Sequence, residues 1–505
     1  MKRHSLWLIL VTVLCLLGCS AENRVELDDE LPPPLTTAMT LAYRAGSDYD
    51  RVEGFLLVSG VLLDGGRVRQ ATTLLHHAQG VAEKIEIAEI RARRLSGIAQ
   101  QYAQVGEIDL ARATLESIDP SPAYMRGVGD VVEVLAKAGE IEVGRQVLDD
   151  ALSRIGEVHE QSRPDALRIL AAAYRQVGDA KTASSLLDRA IAATVGIEML
   201  DVRAWARFWI ASEYVHLGDL GQSLAVAKGI EDDNVHGNTL YEIGRLHLAS
   251  GDPDLALDTL GHMTGEGRIQ YWHAYLLAET AIRLAELEDY FQAFALLKQF
   301  DMAYDWHAAR AMGQVAAIAW NEPAFRAQAV LALNDASAIV RNLAPNSQAL
   351  AYAAIAKRFV EIEDHAQAAK LLDKAFESAA RLTKRTERNT VYQLLATTHA
   401  DMGDYSRALA VASELKPGAS GHSRALLRTA TLQAGSGDFV AALKSVQRID
   451  STVYRIRALT RLAPYYAEWE HAPDQEEAAI LRGLERSALY RHWGFRLLYL
   501  LDLLF

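Results

Sequence analysis

The chain has 505 residues, half of them hydrophobic, with 52 basic against 65 acidic side chains and a formal net charge of −13. That balance argues against general nucleic-acid binding, which needs a basic face to displace counterions. The apolar half is ample for a continuous core, and only 12 prolines interrupt it, three of them adjacent at Pro32-Pro33-Pro34, which suits a mostly helical chain.

Residues 1–18 have the parts of a secretory signal. Lys2, Arg3 and His4 make a basic start, and Leu6 to Leu17 is an apolar stretch too short for a comfortable membrane span. The segment ends Leu16-Leu17-Gly18-Cys19-Ser20, which resembles a bacterial lipobox. The resemblance implies that Cys19 is lipidated, that the chain is cut before it, and that several acyl chains then hold the protein at a membrane. Ser20 in place of an aspartate favours, by the same analogy, the outer membrane facing the periplasm. The other cysteine, Cys15, leaves with the signal, so no disulfide is expected. Residues 19–35 read as a tether, acidic through Glu22, Glu26, Asp28, Asp29 and Glu30 and ending in the proline run.

Residues 36–480 read as a repeat array. The clearest unit is Leu167–Ala190. Leu167, Leu170, Ala171 and Tyr174 share one helix face. Gly178 follows where the chain must leave the helix, and Asp179 is placed to cap the next one. Ala183, Leu187 and Ala190 then share a second face. The same turn recurs at Gly66, Gly106, Gly139, Gly178, Gly218, Gly251, Glu288, Trp320, Glu363, Gly403, Gly437 and Glu470. A small residue stands seven positions before the turn in eleven of the twelve units and five positions after it in ten. Chance alanine richness would not hold that register over the whole array, so about twelve helical hairpins are expected. The eighth turn, Trp320-Asn321, is degenerate, and Pro345 marks the expected discontinuity. Residues 481–505, with Leu489, Tyr490, Trp493 and a leucine-rich end, read as a terminal helix that covers the exposed end of the array. A partner or membrane contact is the alternative for this tail.

Signatures of chemistry are missing from the sequence. It contains no phosphate-binding Gly-rich loop, no Gly-x-Ser-x-Gly elbow and no His-Glu-x-x-His helix. His76-His77 is a poor chelate because adjacent helical residues point to different faces. No enzyme, metal or small-molecule cofactor is therefore expected.

The Leu-Ala pair, the tyrosine, the Gly-Asp turn and the second-helix alanines resemble the tetratricopeptide repeat. The resemblance implies an all-α, α-α superhelix, a solenoid whose first helices line a concave groove. Family contact positions carried onto this chain are Arg126, Glu133, Arg168, Trp205, Phe208, Trp209, Tyr241, Glu242, Arg245, Tyr275, Arg310 and Arg428. Glu279, His307, Arg424, Arg457 and Arg461 occupy further such positions. The middle of the groove is thus expected to be aromatic and its far end basic. A groove of this kind implies a protein or peptide partner, with the membrane reached through the lipid anchor and no nucleic acid. Two rival readings are an envelope enzyme acting on or regulating peptidoglycan and a purely structural spacer.

Overall fold

The computed structural model describes residues 31–264, 267–300 and 305–487. Among these residues the regular structure is helical throughout, without a strand. A leading helix, α1 (Pro33–Tyr43), precedes the hairpins. The first four pair α2 (Asp48–Asp64) with α3 (Val68–Ala82), α4 (Ala88–Gln104) with α5 (Ile108–Glu116), α6 (Pro122–Lys137) with α7 (Ile141–Ser153), and α8 (Arg163–Gln176) with α9 (Ala180–Thr194). The next four pair α10 (Leu200–His216) with α11 (Leu220–Lys228), α12 (Asp233–Ala249) with α13 (Pro253–His262), α14 (Arg268–Glu286) with α15 (Tyr290–Leu297), and α16 (Asp305–Ile318) with α17 (Arg326–Asn342). Then come α18 (Pro345–Glu361) with α19 (His365–Ala380), α20 (Arg385–Asp401) with α21 (Tyr405–Ser413), and α22 (Ser420–Gly435) with α23 (Phe439–Gln447). The twelfth hairpin joins α24 (Thr452–Glu468) to a helix described from 475 to 487. The expected all-α array of twelve hairpins is present.

Local chemistry accounts for the hairpin. Gly178 sits at φ 80°, and the N–H of Asp179 closes the helix end on the Tyr174 carbonyl at 2.9 Å. A left-handed residue is what this closure demands, and glycine meets it without a Cβ clash. The Asp179 carboxylate then accepts the Thr182 N–H at 3.0 Å and the Thr182 hydroxyl at 2.7 Å. These bonds hold its pKa below the ordinary aspartate value. Eleven of the twelve turn positions have positive φ, and the exception is Trp320, in the 3-10 turn Ala319–Asn321. Leu170, Ala171, Ala183, Leu187 and Ala190 are all buried. Truncating such a leucine typically costs about 2–5 kcal/mol. The small positions set helix spacing. A Cβ on Gly244 of α12 would lie 2.4 Å from Leu276 Cδ2 of α14, so no larger residue fits between these helices as they stand.

Each first helix packs on the next first helix, whereas the second helices pack on first helices and hardly on one another. In a curved two-layer array the crowded layer lies at the smaller radius, so α2, α4 and the other even-numbered helices form the inner wall. That wall closes. α24 packs directly on α2, and α1 lies against both. A Cβ on Gly54 would touch Ile456, and Arg457 of α24 meets Glu53 of α2 at 2.9 Å. Thr37 donates to the Glu485 carboxylate and Arg44 to the Glu485 carbonyl, each at 2.8 Å. The solenoid is therefore a ring, and its two ends meet at a seam. Twelve inner helices at about 8–10 Å spacing, each about 10–12 Å thick, enclose a channel no wider than roughly 30 Å in its narrower direction.

Closure alters three expectations. The exposed end that residues 481–505 were expected to cover is instead met by α1 and the first hairpin. Leu481 and Leu484 are buried there, and residues 488–505 lie outside the described residues. Residues 33–35, read as tether, begin α1, with Leu31 and Leu35 buried. The signal and residues 19–30 of the tether, Cys19 included, lie outside the described residues. Pro345 is no break: it occupies the first turn of α18, where its missing N–H costs nothing. Ala336 and Val340 before it share one apolar cluster with Ala349 and Tyr352 after it.

Candidate partner-binding wall

The inner wall carries an aromatic arc from α10 to α16. Val202, Trp205 and Trp209 repeat at helical spacing on α10 and are 41%, 41% and 50% exposed. Phe208 lies beneath them at 5%, meeting the Trp205 ring edge-on at 5.2 Å and the Trp209 ring at 4.8 Å. Its place among the contact residues is corrected. Phe208 faces Ala204, Ile230 and Val235 in a small core and supports the two tryptophans from behind.

The arc continues with Tyr241 of α12, which stacks on Trp272 of α14 at 5.4 Å and meets Tyr275 at 4.9 Å. The Trp272 indole donates to Asn234 at 3.2 Å. Tyr275 and Trp306 then flank His307 of α16 at 4.7 and 4.9 Å. His307 is buried and its Nδ1 has no hydrogen-bond partner among the described residues. Burial, then the nearby Arg310, pushes its pKa down to about 4, so the ring is neutral at ordinary pH. Burial raises the Tyr241 and Tyr275 phenols above their usual value, with Glu279 adding to both. The wall here is neutral and largely apolar.

Its formal charges are paired across or along the inner helices. Arg168 of α8 meets Asp165 at 2.6 Å and Glu213 of α10 at 3.6 Å, with Trp209 5.9 Å from its guanidinium. Arg245 grips Glu242 with two hydrogen bonds, one of 2.7 Å, which raises the guanidinium's already high pKa. Arg310 of α16 binds Glu279 of α14 at 2.7 Å and stands over the Tyr275 and Trp306 rings. Its side chain is only 11% exposed. Arg126 lies outside the aromatic run, between Glu89 and Asp165 at 4.0 and 3.5 Å. Glu133 pairs with Lys137 at 2.5 Å. Arg428 is farther round the ring, against Asp401 at 2.7 Å.

The structure thus brings together Arg168, Trp205, Trp209, Tyr241, Glu242, Arg245, Tyr275 and Arg310 along one arc. Trp272, Tyr271 and Trp306 belong to the arc and were missed by the carried-over positions. Trp272 lies three residues before Tyr275 on the same face, a spacing that would have found it. Glu213 was missed for a different reason, since its role depends on Arg168 and Arg175 of the preceding hairpin. Away from this wall, a hollow of about 490 Å³ opens between α17 and α19, with Trp320, Leu333 and Lys370 in its lining. His77 packs against Tyr43 and Phe55. No group of three metal-ligating side chains occurs among the described residues, and no described helix is long and apolar enough to cross a membrane.

No protein-family model matches the chain, and no curated protein matches it. Similar solved structures include Ton1535 from Thermococcus onnurineus NA1, at 15% identity and a TM-score of 0.28 over 81% of this chain and 98% of that one. The apo form of the quorum sensor NprR from B. thuringiensis is 16% identical, with a TM-score of 0.24 over 65% of this chain and 98% of that one. A circular tandem repeat protein with novel repeat topology is 12% identical, with a TM-score of 0.20 over 93% of this chain and 99% of that one. At these scores the fold assignment rests on the helices and contacts described above.

Proposed function

We propose that this chain is a lipid-anchored, non-catalytic ring that holds a protein or peptide segment against its inner wall, in assembly or regulation at a bacterial cell envelope. The observation that carries the reading is the aromatic arc. Trp205 and Trp209 present half-exposed rings to the channel, on a rigid support of Phe208 and beside paired arginines. Large, rigid aromatic side chains beside arginine are the usual anchors of protein interfaces. The width of the channel favours a slender occupant, a helix or an extended chain, over a folded domain. The anchor rests on the lipobox-like Leu16–Ser20 alone, and the outer-membrane, periplasm-facing address on Ser20.

The test is capture through the wall itself. A photocrosslinker in place of Ala206, next to Trp205 on α10, is expected to trap one protein in intact cells. Trp205→Ala/Trp209→Ala is expected to lower that yield at least tenfold while the helical melting curve is unchanged, because both rings are exposed. Unchanged trapping by the folded double variant would overturn the reading. Hydrolysis of purified peptidoglycan, abolished by Glu242→Gln, would replace it with an enzymatic one. In the same cells Cys19→Ala is expected to release the protein from membranes, and persistent anchoring would remove the lipid from the proposal.

A further inference from the structure

A second region of the inner wall stands apart in an otherwise acidic chain. Arg424 and Arg428 lie one turn apart on α22, and Arg457 and Arg461 lie one turn apart on α24. α22 and α24 are adjacent inner helices. Each pair stands 13 and 9 residues before its turn, at Gly437 and Glu470. The four side chains therefore form a two-by-two grid on neighbouring inner helices.

The grid is only half neutralised. Arg428 pairs with Asp401 at 2.7 Å and Arg457 with Glu53 at 2.9 Å, and Glu53 is shared with Arg94. Arg424 donates to the Tyr454 hydroxyl at 3.3 Å rather than to a carboxylate. The Tyr454 ring also lies 5.5 Å from the Arg457 guanidinium, so one phenol orients two arginines. Arg461 is exposed and has no ion-pair or hydrogen-bond partner among the described residues. Two guanidiniums are thus left without a carboxylate.

We propose that this grid docks a short acidic segment of a protein. The proposal rests on the reading that the channel takes a protein partner and adds the chemistry that part of the partner carries. A guanidinium is a planar fork that matches a carboxylate with two parallel hydrogen bonds. Residues one turn apart on a helix are separated by about 6 Å along its axis. Alternate residues of an extended chain are about 6.6 Å apart. An extended segment with acids at every second position therefore lines up with the grid. A long polyphosphate is disfavoured, because Glu53, Asp401 and the carboxylates of the rest of the wall would repel charge outside these four positions, and the chain as a whole carries −13.

The experiment uses the full chain and a fluorescein-labelled peptide of four Glu-Ser repeats, followed by fluorescence anisotropy at low and physiological salt. Saturable binding that weakens with salt is expected. Arg424→Glu/Arg461→Glu is expected to weaken it at least tenfold, and Arg424→Lys/Arg461→Lys to lose less, with unchanged melting curves for both. Absence of saturable binding, or equal affinity in the folded charge-reversed variant, would sink the docking site. Tighter binding of an eight-residue oligothymidylate than of the peptide would assign the grid to phosphate polymers and overturn the proposal. No peptide binding by the parent chain, with its wall crosslinking intact, removes the grid, whereas no wall crosslinking by the parent chain, with its peptide binding intact, removes the aromatic reading.

Discussion

Trp205 and Trp209 on α10 and Arg424 and Arg428 on α22 occupy the same two slots of their hairpins, 13 and 9 residues before the turn. The backbone positions are equivalent and the chemistry is not. In the aromatic arc the arginines beside these slots are consumed by carboxylates, and Arg310 is nearly buried with Glu279. In the grid three of the four arginines are exposed, and half of the four have no acid. The slots two residues further on, which face away from the channel, are small in both places, Ala211 and Ala430, and fully buried. The scaffold is thus specified by positions that face between helices. The channel-facing positions are left to differ, and function is to be sought where equivalent slots diverge.

The largest expected effect tests whether the aromatic arc depends on unusually close helices. Gly244 lies seven residues before its turn, where the grid helix α22 has Ala430. Gly244→Leu forces α12 and α14 apart and separates Tyr241 from Trp272. Overpacking of this kind costs about 2–3 kcal/mol, and a lower thermal midpoint by circular dichroism is expected, with weaker capture at the wall. The milder Gly244→Ala is expected to disturb the Tyr241–Trp272 stack more than stability. If Gly244→Leu melts as the parent does, the close approach is not what holds the arc.

The twelve turns, the capping aspartates and the small interhelix residues were all legible in the sequence, because each is a local demand. A left-handed residue is needed wherever a helix must reverse, and a small one wherever two axes approach. Ring closure was not legible. It is the accumulated rotation of twelve hairpins, and the contacts that seal it, Glu53 with Arg457 and Thr37 with Glu485, join residues more than 400 positions apart. The aromatic character of the middle and the basic character of the far end were both readable from channel-facing slots. Phe208 was misplaced because its side chain packs with Ile230 and Val235, contacts with the next hairpin that the repeat register does not reveal. Which arginines are free was unreadable, since each depends on an acid from another hairpin.

A middle-sized effect separates the two kinds of ion pair. Glu279–Arg310 and Asp401–Arg428 are both 2.7 Å long, but the arginine side chains are 11% and 46% exposed. Double-mutant cycles to Gln and Met are expected to give a coupling of about 1–2 kcal/mol for the first, discounted because Glu279 is itself partly exposed, and under about 0.5 kcal/mol for the second. Half-molar salt is expected to erase the second and leave most of the first. Equal couplings would mean that the two arcs hold their charge in the same way.

The smallest effect lies in the turns beneath the two arcs. Glu288 ends α14 of the aromatic arc at φ 66°, and Gly437 ends α22 of the grid at φ 83°. A side chain in the left-handed region is strained by about 1–2 kcal/mol. Glu288→Gly removes that strain, but glycine also gains freedom in the unfolded chain, which takes back about 0.5–1 kcal/mol. The net gain is expected to be a few tenths to about 1 kcal/mol, read as a higher urea midpoint with unchanged slope. At Gly437 strain and a steric clash add, and together they outweigh the freedom that alanine removes from the unfolded chain. Alanine there adds left-handed strain, and its Cβ would fall 2.4 Å from the Trp469 ring. Gly437→Ala is therefore expected to destabilise by more than Glu288→Gly stabilises. Opposite signs at two equivalent turns would show that the aromatic arc is built on a slightly strained hairpin and the grid on a relaxed one, whereas a loss at Glu288→Gly would mean that glycine's freedom in the unfolded chain outweighs the strain it relieves.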